Sequence, residues 1–164
     1  MNFNAFKTVF QIAIGTIPEE IRGYMSTVQQ WAENNGYDYK VITEQPKELK
    51  DLSLRIASDW MRIKILLENP YHLYIDWDVE LIGDVKLGET PILTPYFEHF
   101  IYNGSNTNLF KEVYKNMVDR KIKSGNGWKD EEGIIFKSFR NININKEWFV
   151  NSDGLYIHKW NSKE

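Results

Sequence analysis

The segment from Val9 to Ile42 constrains the fold more than any other part of the chain. Val9 to Ile14 is an apolar run of strand length, and Gly15-Thr16 stops it. Pro18 suits a first helical turn, where Glu19 and Glu20 face the positive end of the helix dipole. Apolar residues then recur at helical spacing, at Ile21, Tyr24, Met25, Val28, Trp31 and Ala32. Asn34-Asn35-Gly36 ends the helix, and Tyr37 to Ile42 reads as a second strand. A chain that opens strand, helix, strand is starting an α/β layer.

The rest extends this pattern. Glu44 to Lys50 is a polar connection around Pro46. A second helix is expected from about Ser53 to Glu68, with Ile56, Trp60, Ile63 and Leu67 on one stripe and Asn69-Pro70 as its end. Tyr71 to Leu81 alternates with period two through Leu73, Ile75, Trp77 and Val79, as one strand would. Pro91 to Tyr102 holds two short strand-like runs. Asn106 to Lys123 is a third helix with an Asn/Thr cap, closed by Gly125 and Gly127. Glu147 to Val150 and Leu155 to His158, joined by Asn151-Ser152-Asp153-Gly154, read as a terminal hairpin. The expected fold class is α/β, a mixed sheet with helices on its faces. A length of 164 residues makes a single domain over 1–164 the default.

Composition narrows the chemistry. Hydrophobic residues at 42% and charged residues at 26% belong to a globular chain rather than a disordered one. A net charge of −3 gives no grip on a nucleic-acid backbone or an anionic membrane. No apolar run reaches the length of a membrane span, and Met1 to Lys7 lacks the pattern of a secretory signal, so a cytoplasmic protein is expected. There is no cysteine, so any metal must be held by oxygen or imidazole.

Within Tyr74-Ile75-Asp76-Trp77-Asp78-Val79-Glu80, an extended strand points Asp76 and Asp78 to the same face. Aspartate is depleted in strands, and two like charges at that spacing repel. A cation or proton between them removes that cost, and oxygen ligation suits Mg²⁺ or Mn²⁺. Upstream, Asp59 and Arg62 are three apart and share a face of the helix that feeds this strand. Open α/β sheets bind ligands beyond the carboxyl ends of their strands, where these residues converge if the helix start approaches.

Ala57-Ser58-Asp59, Arg62, Leu66 and Tyr74-Ile75-Asp76-Trp77-Asp78 together resemble the signature of DxD-motif glycosyltransferases of the GT-A fold. That family (the glycosyltransferase sugar-binding-region family) is related to initiating mannosyltransferases, capsular polysaccharide transferases and clostridial glucosylating toxins. Gln11 to Gly15 with Ile17-Pro18 is similar to the family's first strand, and Ile157-His158-Lys159-Trp160 to its closing segment. The resemblance implies a Rossmann-like sheet at minimal size. It implies a hexosyl transfer from a nucleoside-diphosphate sugar to an unknown acceptor, with retention of configuration. The implied cofactor is Mn²⁺ (or Mg²⁺), with Asp76, Asp78 and His158 as its ligand set. The donor would meet Ile12, Ala13, Tyr74, Asp76 and Trp160. Asp59 and Arg62 would hold hydroxyls of the transferred sugar, with Asp130 and Glu131 as further candidates facing it. Where the family often carries an aromatic that stacks on the donor base, this chain has Ala13, which implies weak discrimination between bases.

Two other readings of the same residues remain. A haloacid-dehalogenase-type phosphatase also uses a strand ending in DxD, with Asp76 as nucleophile and Asp78 as acid. Its motif normally follows the first strand, whereas two strands and two helices precede it here. A non-catalytic nucleotide-sugar-binding relative fits Ala13 and the short tail. His72 and His99 show no partner pattern and read as structural; Trp128 and Trp148 read as core, and Asn103 to Asn106 as a helix cap.

Overall fold

The computed structural model describes residues 6–123 and 133–159. Five strands form the main sheet: β1 (Thr8–Ile12), β2 (Asp38–Ile42), β3 (His72–Ile75), β5 (Ile92–Leu93) and β6 (Phe100–Tyr102). Their order is β2-β1-β3-β6-β5. β1 runs parallel to both β2 and β3, and β6 runs antiparallel to β3 and β5. The helices are α1 (Glu19–Asn34), α2 (Leu54–Glu68), α3 (Asn108–Lys123) and α4 (Ile134–Phe139). A second, two-stranded antiparallel sheet pairs β4 (Val79–Leu81) with β7 (Tyr156–His158). This is the mixed α/β sheet that the strand–helix alternation predicts.

Strand alternation divides the core in two. Phe10, Ile12, Tyr74 and Ile101 point into a cluster with Ile56, Trp60, Ile63 and Leu66 of α2, Phe110 and Val113 of α3, and Ile135 of α4. Val9, Leu73, Ile75, Phe100 and Tyr102 point the other way, toward Val28, Trp31 and Ala32 of α1 and toward β4 and β7. Ser53 caps α2 by accepting from the Ile56 N–H at 3.3 Å, and Asn106 accepts from the Leu109 N–H at 3.2 Å ahead of α3. The chain leaves β1 for β2 on one side and crosses through α2 to β3 on the other. The carboxyl ends of β1 and β3 therefore flank the point where strand order reverses, which is where such sheets leave a crevice.

Two sequence expectations are corrected. Tyr71 to Leu81 is not one strand. β3 ends at Ile75, and the Val79 N–H turns back to the Asp76 carbonyl at 3.2 Å, so Asp76-Trp77-Asp78 is a turn between two sheets. Carboxylates fit a turn better than a ladder, and the apolar alternation survives because Ile75 and Val79 return to the same cluster. Nor is there a terminal hairpin. Lys146–Trp148 is a 3₁₀ turn whose cap, Asn145, accepts from the Glu147 N–H at 2.9 Å. The final strand pairs with β4 instead, with His158 opposite Val79 and Tyr156 opposite Leu81.

Candidate active site

A cavity of about 300 Å³ opens at the carboxyl ends of β1 and β3. Ile12 and Ile14 come from the end of β1, and Tyr74, Asp76, Trp77 and Asp78 from the end of β3. The first turns of α2 add Leu54, Arg55, Ser58, Asp59 and Arg62. Because β6 is antiparallel to β3, its start lies beside the end of β3. Glu98 and His99 thereby enter the cavity wall, and the Asp76 N–H bonds to the His99 carbonyl at 3.0 Å.

Arg62 organises one side. It is 5% exposed, and its guanidinium lies 4.3 Å from the Tyr74 ring centre. Nη1 donates to the Glu98 carbonyl at 2.7 Å, Nε to the Ser58 carbonyl at 3.3 Å, and Nη2 to Ser58 Oγ at 2.9 Å. Nη2 also pairs with Asp59 Oδ1 at 3.2 Å and Asp76 Oδ1 at 3.5 Å, and the Tyr74 hydroxyl donates to the same Asp76 oxygen. Burial pushes the Asp59 carboxyl up to about 7 against the pull of Arg62. Burial likewise raises Asp76, with Arg62 opposing and Asp78 adding to the rise. Behind them, buried Gln11 extends the β1–β3 pairing with its side chain. Its Nε2 donates to the carbonyls of Ile75 and Asp76 at 3.3 and 3.1 Å, while the Tyr39 hydroxyl donates to its Oε1 at 2.5 Å.

The other side is built by β7. His158 Nε2 lies 3.2 Å from Asp78 Oδ2. Burial opposes a charge on His158, but its hydrogen bond to Asp78 and the Asp78 charge outweigh that and raise its pKa. His99 stacks on His158 with ring centres 3.8 Å apart and planes 13° from parallel. Burial, reinforced by His158, lowers His99 to about 4. Asp78 is buried, and its Oδ1 has no hydrogen-bond partner among the described residues. Asp76, His99 and His158 each offer one ligand atom, all within 4.8 Å of one another. An orphaned carboxylate oxygen beside this cluster of oxygen and imidazole donors suits a divalent cation.

The cavity thus gathers Ile12, Asp59, Arg62, Tyr74, Asp76, Asp78 and His158 from the sequence candidates. Ala13 is buried, bonds through its N–H to the Ile42 carbonyl at 2.9 Å, and does not line the cavity. Asp130, Glu131, Trp128 and Trp160 lie outside the described residues. Asn103 works inside the fold: its Nδ2 donates to the Leu66 and Asn69 carbonyls at 2.7 and 2.6 Å.

The reading of His99 as structural is revised, because it stands on the Asp76–His158 side of the cavity. Only the β3–β6 pairing brings it there, and no spacing along the chain signals that. His72, by contrast, contacts the Pro70 carbonyl through Nδ1 at 2.9 Å, away from the cavity. Trp77, one of the residues of the period-two alternation, lines the cavity. Its place in a DxD turn rather than a strand is the signal for that.

The solved structure of a glycosyltransferase involved in the glycosylation of the major capsid of PBCV-1 is similar to this chain over 93% of each, with a TM-score of 0.61 and 12% identity. The chain has a glycosyltransferase fold. The PaToxG glycosyltransferase shares that fold, over 82% of this chain and 68% of its own, with a TM-score of 0.52 and 14% identity. No protein-family model matches the chain, and no curated protein sequence does. Among the described residues, no helix of this glycosyltransferase fold is long and apolar enough to cross a membrane.

Proposed function

We propose that the chain is a metal-dependent glycosyltransferase that moves a sugar from a nucleoside-diphosphate sugar to an acceptor hydroxyl. The observation that carries this is the meeting of Asp59, Asp76, Asp78 and His158 around one cavity at the strand-reversal point of a glycosyltransferase fold. Asp76, Asp78 and His158 would hold Mn²⁺ or Mg²⁺, which when bound neutralises charge on the departing diphosphate.

The chain's own residues do the rest. Asp59 accepts hydrogen bonds from hydroxyls of the transferred sugar. Arg62 already spends donors on Ser58, Glu98, Asp59 and Asp76, so its part is to aim the two carboxylates more than to grip the sugar itself. Trp77, with Ile12, Ile14 and Leu54, offers the apolar wall for the base that Ala13 does not provide. The donor keeps its anomeric configuration in the product, as the resemblance of the DxD segment implies; proton NMR of freshly formed product reads this directly.

A second cavity of about 270 Å³ adjoins the first and shares Glu98, His99 and Gly133 with it. Tyr96, Phe136, Lys137 and Arg140 also line it. The acceptor enters here, with Tyr96 and Phe136 as exposed rings for it to rest on. The phosphatase alternative needs Asp76 as an open nucleophile, but one of its oxygens is engaged by both Tyr74 and Arg62.

A thermal-shift panel of nucleoside-diphosphate sugars, with and without Mn²⁺, tests the reading. A donor at 100 times its Kd adds about 2.7 kcal/mol of stability. The expected result is a Mn²⁺-dependent shift for at least one nucleotide sugar that Asp78→Asn abolishes. Stabilisation by none, or equal stabilisation of Asp78→Asn, contradicts it.

A further inference from the structure

The DxD reading supplies carboxylates and one histidine to the metal site; the fold adds a second imidazole. We propose that His99 is a direct metal ligand, and that two imidazoles give this site a preference for first-row transition ions such as Mn²⁺ or Co²⁺ over Mg²⁺. The proposal deepens the reading above and rests on its metal site.

Three observations support it. Ligand atoms of His99, His158 and Asp76 lie within 4.8 Å of one another, close enough to converge on one ion. The two rings lie face to face with centres 3.8 Å apart and in-plane lone pairs running parallel, so a turn of His158, on the short β7, is what brings both nitrogens onto one ion. His99 is also held as a metal-binding histidine usually is. Its Nδ1 lies 3.4 Å from the Tyr156 hydroxyl, which reaches Thr94 Oγ1 at 3.2 Å, leaving Nε2 for an ion. Tyr96 stacks with His99 at 5.5 Å and limits its rotation further.

The chemistry then sets the selectivity. Mg²⁺ prefers oxygen ligands, demands near-ideal octahedral geometry and dehydrates reluctantly. Imidazole suits the later first-row ions, whose affinity for nitrogen sites rises along the series. A site with carboxylates alone separates these ions less than one in which two of the protein ligands are nitrogen.

The chain has three histidines, so a nitrogen count is decisive. His72 lies outside the cavity, and His72→Ala gives a background with only His99 and His158. Pulsed EPR of that protein with one equivalent of Cu²⁺ as probe should show the combination lines of two coordinated imidazoles. Adding His99→Ala should leave one. By calorimetry, Mn²⁺ should bind at least tenfold more tightly than Mg²⁺, and His99→Ala should shrink that ratio to under threefold.

A single imidazole in the His72→Ala protein overturns the proposal, and that measurement needs no change at His99. A residue acting only through its neighbour also lowers affinity, so weaker binding in His99→Ala with an unchanged count overturns it too. Equal Mn²⁺ and Mg²⁺ affinities overturn the selectivity. None of these readouts involves a sugar: a chain that binds Cu²⁺ through two imidazoles yet never releases a nucleoside diphosphate keeps this proposal and loses the transferase.

Discussion

The two sides of the cavity are held in opposite ways. The Arg62 side is buried and cross-braced: one guanidinium ties α2, the end of β3 and the start of β6 together, and Gln11 ties β1 to the same point. The His158 side hangs on a two-stranded sheet of three residues per strand, steadied by the Lys159–Glu80 pair at 3.0 Å and by Ile82 and Gly83 N–H groups bonding to Leu155 at 2.9 Å. A site built this way keeps its carboxylates preorganised while its imidazole stays adjustable, and the two can be broken separately.

Breaking the first side has the largest effect. Arg62→Met leaves the half-buried Asp59 and Asp76 without their counter-charge. The expected loss is about 3–5 kcal/mol in urea denaturation, together with donor binding. Breaking the second side strikes function more than stability. A Cβ at Gly83 would sit 2.1 Å from the Gly154 carbonyl oxygen and 3.0 Å from Leu155 Cα. Gly83→Ala should therefore shift β7 and cost about 1–3 kcal/mol. It should weaken Mn²⁺ binding at least tenfold, and a variant that keeps wild-type Mn²⁺ affinity places His158 outside the metal site.

Asp78→Asn sharpens the contrast. It removes a buried charge whose Oδ1 has no partner among the described residues, so stability should change by less than about 1 kcal/mol while Mn²⁺ binding is lost.

The Arg62 side also carries a pH dependence. The folded Asp59 value of about 7 stands above its unfolded value of 3.8, so the folded state holds the proton longer. Its contribution is complete below pH 3.8 and is lost as pH rises through 7. Asp59→Asn should flatten that part of the stability profile. An unchanged slope assigns it to other groups.

Much of the braced side was legible in the sequence, and the reason is local. Asp59 and Arg62 lie one helical turn apart, and the DxD follows a strand whose apolar residues announce it, so short-range spacing carries the information. The opening strand–helix–strand is legible for the same reason. The adjustable side was only partly so. A turn that preserves period-two alternation is indistinguishable from a continuous strand, so Asp76 to Asp78 reads as extended. Leu155 to His158 reads as strand, but its partner is β4, far back in the chain, and a nearby apolar stretch at Glu147 to Val150 competes for it. His99 reaches the cavity through the antiparallel return of β6 and meets His158 through the pairing of β7 with β4, two long-range pairings that no local pattern encodes.

The proposed function is sugar transfer driven from the Asp78 side of this cavity. The most direct measurement is release of nucleoside diphosphate from a panel of nucleoside-diphosphate sugars with Mn²⁺, comparing the native chain with Asp78→Asn and, for a chelator control, with the native chain in EDTA. Steady release from at least one donor is expected of the native chain with Mn²⁺, and none above background in the other two. Release that persists in Asp78→Asn or in EDTA, or tight binding of every donor without any release, contradicts it.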